Sequence, residues 1–488
     1  MLKFEKDIPE NVGIPSQRIL NLISRLQHRG IPMHSLLLMR HDKLITEAYY
    51  SPCKQGDLHR MFSISKSFTS IAIGLLEEEG RLSINDPIIK HFPELLPDEI
   101  HPFIASMTIR DMLMMRSCHA ATTYKYNMKK DWVKSYFTTA PTHPAGTLFH
   151  YDTSARHTRC ALVEKMADMP MLDYIKKKLA PLEFSFESYM LKDPFGVSMG
   201  GTGLVATSMD LLKFGYFIAH KGNVEGMQLL NAEYIELATS HLTDTCVTGP
   251  LPSEAAGYGL QFWRNERGGY TCYGMGGQLI IFLPEFDMIC VTTADTQGIG
   301  GGNQQIYDAL YEEVLPYIEE TALPICTGTC SHYLDELSQL QITPVTGNTC
   351  SPLMETIDKK IFYPRYGKEG YQNISLSFTS DKKADHKKTG SDYTAGKLCF
   401  TYENVSYDLN FGLGYLVSGS LPFYNFNYAA SGAWLADGTL YIKVHIIDSS
   451  VGSIRIQMNF QDDTLTIYMR KQEETMLQEF DGHLYCTT

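Results

Sequence analysis

A serine three residues ahead of a lysine at the start of a helix sets both side chains on one face, one turn apart, where the amine can take the hydroxyl's proton. The amine does so only if burial or a neighbouring cation brings its pKa down from about 10.4 towards neutrality. The 488-residue chain carries this spacing at Ser51/Lys54, Ser63/Lys66 and Ser380/Lys383. Ser51 runs into Pro52, and Ser380 opens the polar stretch SDKKADHKKTG, whereas Ser63 heads the amphipathic run KSFTSIAIGLLEEEG. Only Ser63 therefore has a helix behind it, whose positive end favours alkoxide character and whose first N–H groups are free to bind an oxyanion. Taken alone, the pair fits better a helix-capping serine with a solvated lysine one turn on, a common arrangement.

The surrounding sequence adds to this. MFSISKSFTSIAIGLLEEEGRLSINDPIIKHFPE (61–94) resembles the serine β-lactamase and penicillin-binding-protein-like superfamily, in its class C-like branch, which also holds esterases and 6-aminohexanoate-oligomer hydrolases. TIRDMLMMRS (108–117), FHYDTS (149–154), GGTGLVATSMDLLKFG (200–215) and YGMGGQLIIFLP (273–284) match in the same order, so the resemblance covers about residues 15–320. It implies Ser63 as nucleophile and Lys66 as its partner. It also implies Tyr151 as base or proton relay, a role a phenol fills beside a cation that stabilises its ionised form. Thr153 stands where the family has Asn, keeping a short hydrogen-bonding side chain and losing the amide's donors.

The third family motif, a Lys or His followed by a small residue and Gly on the strand lining the cleft, falls at Tyr273-Gly274-Met275-Gly276-Gly277. The resemblance makes the N–H groups of Ser63 and Met275 the oxyanion hole and puts Thr153, Tyr273, Gly274 and Gly276 against substrate. Tyr273 cannot pair with a carboxylate as the family's cation does, which turns the expectation away from β-lactams and D-alanyl peptides.

Other stretches resemble motifs by letters alone. Lys388-Thr389-Gly390 sits in a polar segment of the β-rich C-terminal region and reads as a solvated loop. Gly196-Val197-Ser198-Met199-Gly200 matches a nucleophile elbow but follows Asp193-Pro194-Phe195 where a strand is needed. His143, His150 and His157 recur every seven residues without an accompanying metal motif. Cys118 and Cys160 read as small core residues.

The elements that must hold these residues follow from apolar periodicity. SQRILNLISRLQHRG (15–29) predicts a helix and SLLLMR and LITEAYY two strands; 63 to about 240 reads as an all-α block. YGLQFW (258–263), QLIIFLP (278–284) and MICVTTAD (288–295) read as strands, and IYDALYEEVLPYIEE (306–320) as a closing helix. The fold class expected is α+β: a β-lactamase-like antiparallel sheet flanked by helices, with an all-α subdomain, over 1–324. A linker at 325–354 and an all-β barrel or sandwich at 355–488 follow.

Composition narrows the function further. With 44% hydrophobic and 20% charged residues the chain is globular, and 55 acidic against 42 basic residues (net −13) disfavours a nucleic-acid partner. Eleven cysteines without a CxxC pair fit reduced thiols and a cytoplasmic location. The charged opening MLKFEKDIPENVG reads as no signal peptide, and no apolar run is long enough to span a membrane. The expectation is a serine hydrolase that forms an acyl-enzyme on a small ester or amide, with no metal or organic cofactor and no stated oligomeric state. The alternatives are a D-amino-acid peptidase or lactamase-type amidase with the C-terminal region as a gate, and a non-catalytic binding protein on the same fold.

Overall fold

Two apolar stretches far apart in sequence, Met33–Arg40 and Met288–Ala294, are buried at every position. They pair antiparallel, with Leu37 opposite Val291. A strand buried on both faces needs cover on both, and the chain supplies it from three helices. On one side Ser16–His28 packs with Gln304–Glu313, tied by Arg25 to Glu312 and Glu313. On the other, Ser208–Ala219 lies on the sheet so closely that a Cβ at Gly215 would come within 3.0 Å of Ile280.

The computed structural model describes residues 2–125, 127–325, 327–379, 393–473 and 475–488. It divides into one unit of residues 1–49 with 54–340 and another of 50–53 with 341–488. The central sheet of the first unit has seven strands in the order Glu5–Lys6, Lys43–Tyr49, Met33–Arg40, Met288–Ala294, Gln278–Leu283, Tyr270–Gly274 and Trp263–Arg264. All neighbours are antiparallel except the first pair. This is the β-lactamase-like α+β fold.

Three expectations are corrected. The block from 63 to 240 is mostly helical but not all-α. It holds Leu204–Ala206 and Tyr189–Met190, which pair with His59–Arg60 in a three-stranded sheet, and the hairpin Asn223–Val224/Met227–Gln228. Strands of two or three residues leave no periodicity to read. YGLQFW does not form a strand: Gln261 adopts φ +71 and the chain makes only isolated bridges at Tyr258 before Trp263–Arg264. The closing helix stops at Glu313, and a single 3-10 turn at Leu315–Tyr317 follows around Pro316, which has no N–H to continue a helix.

Within 325–354 lie the helix Thr327–Ser338, whose Tyr333 hydroxyl reaches Thr46 and the Ile45 carbonyl, and the start of Leu353–Ile357. The second unit is a closed nine-stranded barrel. Its strands alternate inward apolar and outward polar residues, as in Tyr371–Thr379 and Thr464–Gln472. Closure comes from a parallel pairing of Val405–Leu413 with Asn427–Trp434, Gly412 opposite Ser431. Lys388-Thr389-Gly390 and Ser380/Lys383 lie outside the described residues.

Candidate active site

Ser63 sits in a 3-10 turn, Phe62–Ile64, that runs directly into the helix Ser65–Glu78. Phe62 is held at φ +44, a left-handed conformation costly for a residue with a side chain, immediately before the serine. The turn is pinned by Ser65, whose hydroxyl donates to the Phe62 carbonyl (2.6 Å) and accepts from the Leu204 amide (2.9 Å). The i, i+3 spacing then does what it predicts: the Lys66 ammonium donates to Ser63 Oγ. Lys66 is 2% exposed, and its second hydrogen bond goes to the Gly201 carbonyl at 2.5 Å.

That carbonyl belongs to a glycine pair wedged between two helices. A Cβ at Gly200 would stand 2.5 Å from Cys160 and 2.8 Å from Thr69, and one at Gly201 would stand 3.0 Å from Thr153. The glycines let the loop pass between the nucleophile helix and the helix Ser154–Ala167, with the Gly201 carbonyl on Lys66 and the Gly201 α-carbon against Thr153.

Tyr151 comes to the same place, with its ring centroid 5.2 Å from the Lys66 ammonium and the ring 42% exposed. Between Tyr151 and Thr153, the buried Asp152 carboxylate accepts from the Ser154 and Ala155 amides (2.8 and 3.0 Å) and so caps the helix that follows. Arg156, fully buried in the first turn of that helix, lies with its guanidinium 3.8 Å from the centre of the Tyr151 ring and reaches Thr153 Oγ1 at 3.4 Å.

The strand Tyr270–Gly274 forms the opposite wall. A Cβ at Gly274 would fall 2.5 Å from the Met61 carbonyl, so the strand backbone lies directly against the segment that carries Ser63. Met275-Gly276-Gly277 turns the chain into Gln278–Leu283, with Gly276 at φ +80 and Gly277 at φ +90. Gln278 Nε2 holds the turn by donating to the Met275 carbonyl (3.2 Å), and Asn303 Nδ2 donates to the Gly274 carbonyl (2.8 Å). Tyr273 donates its hydroxyl to Glu254 at 2.7 Å; burial, and then the Glu254 charge, push the phenol far above its ordinary pKa, so it remains a donor.

Three residues of this cleft carry no signal in the sequence reading: Arg156, Glu254 and Trp263. Trp263 stands between the walls, 5.5 Å from Tyr151, 6.0 Å from Tyr273 and 4.9 Å from Tyr258, ring centre to ring centre.

The motif look-alikes fall elsewhere. Ser198 is buried in a loop and donates to Glu164, and His157 is committed to Asp193 at 2.8 Å. Burial works to raise the Asp193 carboxyl, but hydrogen bonds from His157 and from the Val197 and Phe195 amides outweigh it and hold the group below its ordinary pKa. Cys118 is buried, its thiol pushed up to about 12, far from a thiolate at neutral pH.

A helix-flanked antiparallel sheet with a serine-lysine pair at the head of its central helix defines the class of the β-lactamase-like proteins. The beta-lactamase family profile matches residues 19–309, and the chain belongs to that family. The 6-aminohexanoate-dimer hydrolase of Paenarthrobacter ureafaciens is 22% identical over 281 residues, 53% of this chain and 71% of that protein. Among solved structures, a Bacillus anthracis protein provisionally described as a 6-aminohexanoate-dimer hydrolase superposes with a TM-score of 0.52 at 17% identity, over 64% of this chain and 86% of its own. A penicillin-binding-protein homologue from Caulobacter crescentus does so with a TM-score of 0.50 at 15% identity, over 61% and 97%. The family and the names of its relatives indicate a hydrolase of the serine β-lactamase type. Among the described residues no helix is long and apolar enough to cross a membrane.

Proposed function

We propose that the protein is a serine hydrolase that cleaves a small ester or amide through an acyl-enzyme on Ser63. The observation that supports this most is the buried Lys66 ammonium bonded to Ser63 Oγ while Tyr151 stands beside it. In this reading Lys66 and Tyr151 take the proton as Ser63 Oγ attacks the carbonyl carbon, then return it to the leaving alcohol or amine as the C–O or C–N bond breaks. The N–H groups of Ser63 and Met275 hold the tetrahedral oxyanion, and water attacks the acyl-serine in the second half-reaction, releasing the acid. Thr153, Tyr273, Gly274 and Gly276 line the substrate, and the chemistry calls for no cofactor. The free thiols of the described cysteines favour a reducing, cytoplasmic setting.

Intact-mass measurement after a fluorophosphonate probe, with p-nitrophenyl acetate hydrolysis in parallel, tests the reading. The wild type is expected to gain one probe mass and to turn over the ester, and Ser63→Ala to do neither. A wild type that neither labels nor hydrolyses any of several acyl and phosphonyl reagents would leave a ligand-binding protein on a hydrolase fold.

A further inference from the structure

The strand position where relatives are expected to place a cation for a substrate carboxylate is occupied here by Tyr273, and Tyr273 presents a carboxylate. Its hydroxyl donates to Glu254 Oε1 at 2.7 Å. Glu254 is half-buried, on the short helix Pro252–Ala255, and among the described residues Tyr273 is the only side chain hydrogen-bonded to it and no Lys, Arg or His pairs with it. A half-buried carboxylate with one neutral donor keeps acceptor capacity for a second, charged one.

The neighbourhood carries the same sign. The Ser253 amide donates to Gln304 Oε1, and Gln304 Nε2 donates to Glu266 (3.0 Å) and Asp308 (2.9 Å), so two further carboxylates stand behind the same short helix. On that flank Arg267 lies over the Tyr311 ring, 5.2 Å from its centre. From Glu254 towards Ser63 the wall is aromatic, passing from Tyr273 to Trp263 to Tyr151; the Tyr151 ring already carries the Arg156 guanidinium and the Lys66 ammonium, which leaves the Glu254 end of the wall as the place for a further cation.

We infer that the cleft beside Ser63 selects substrates bearing an ammonium group, received by Glu254 beside the Tyr273 ring. This rests on the hydrolase reading above and names its substrate class: amine-bearing esters or amides, the opposite charge preference to a site built for a substrate carboxylate. A carboxylate-ended substrate meets Glu254 without a counter-charge, and a neutral one gains only the apolar wall.

The test compares p-nitrophenyl esters of hexanoic, 6-aminohexanoic and adipic acid (the monoester), with buffer blanks subtracted. The expected order in kcat/KM is ammonium above neutral by about tenfold, the factor of one charge-assisted hydrogen bond at a half-buried carboxylate, and carboxylate below neutral. Glu254→Gln is expected to bring the ammonium-to-neutral ratio close to one, and Glu254→Lys to invert the ammonium-to-carboxylate order. Calorimetric titration with hexylammonium and with hexanoate reads the cleft without turnover, with binding of the amine, lost in Glu254→Gln, as the expected result. Hydrolysis with no ammonium preference, or a preference that survives Glu254→Gln, overturns the inference while leaving the hydrolase reading intact. Absent hydrolysis with Glu254-dependent amine binding does the reverse, and absent hydrolysis with no such binding overturns both.

Discussion

Replacing Gly274 by alanine should cripple turnover without unfolding the protein. The added Cβ would stand 2.5 Å from the Met61 carbonyl oxygen, 2.9 Å from Gln278 Cβ and 3.0 Å from the Gln278 carbonyl. Ordinary contact begins near 3.4 Å, so the strand and the Met61–Ser63 segment must part by about 0.9 Å. Both sides are backbone and cannot swing away as a side chain would. A misplacement of about 1 Å in a reacting geometry costs on the order of 10²-fold, which corresponds to about 2.7 kcal/mol of transition-state stabilisation. The strand that moves is the one proposed to carry the second oxyanion donor, so the loss should fall on kcat rather than KM. The assay is steady-state hydrolysis of p-nitrophenyl acetate alongside thermal unfolding, with Gly300→Ala as the comparison because nothing lies within 4 Å of a Cβ there. A Gly274→Ala enzyme within threefold of wild type in kcat/KM would refute the argument that this strand forms the wall against the nucleophile.

Further outcomes follow from the same geometry. Lys66→Met is expected to lower kcat by about 10³-fold and Tyr151→Phe by 10²-fold or more, magnitudes typical of a lost proton-transfer group; single-turnover acylation kinetics would check both. Arg156 acts through Tyr151 and Thr153, so Arg156→Lys, which keeps the charge but not the planar stack, should lower kcat about tenfold with KM little changed, whereas a purely structural role would lower the melting temperature and leave kcat per folded molecule unchanged. Stability should also fall on the acid side. His34 is fully buried with neither ring nitrogen hydrogen-bonded, and burial, then the charge of nearby His59, hold its pKa well below the ordinary value. A depressed histidine binds its proton more readily in the unfolded chain, so its contribution is complete above about pH 6.5 and is lost as pH falls below that. The melting temperature is therefore expected to drop from pH 7 to pH 5, and His34→Leu to flatten that slope; an unchanged slope in the variant would remove His34 as a cause.

What could be read in the chain was local. Ser63 and Lys66 meet because three residues of helix always bring two side chains together, and the amphipathic run behind Ser63 was enough to choose it from three copies. Gly276 and Gly277 were read as part of the strand lining the cleft, but that strand ends at Gly274 and at φ +80 and +90 the two glycines turn the chain. YGLQFW was misread because its β-type composition is overridden at Gln261, which is buried and turned to φ +71. The small sheet of His59–Arg60, Leu204–Ala206 and Tyr189–Met190 joins segments up to about 150 residues apart, and nothing within any one of them announces the others. Barrel and sandwich share the same alternation, and only the parallel pairing of Gly412 with Ser431 closes the second unit.

The same division runs through the cleft. The sequence by itself determined the serine-lysine pair, the tyrosine expected beside it, the glycine-rich segment of the facing wall and the absence of a cation at position 273, because each depends on neighbours within a few residues or on an ordered set of motifs. Only the tertiary structure decided that Glu254 accepts from Tyr273, that Arg156 stacks beneath Tyr151 and that Trp263 bridges the two walls. Contacts of this kind depend on which faces of distant elements the core brings together, and packing of the whole unit sets that choice where local propensity cannot.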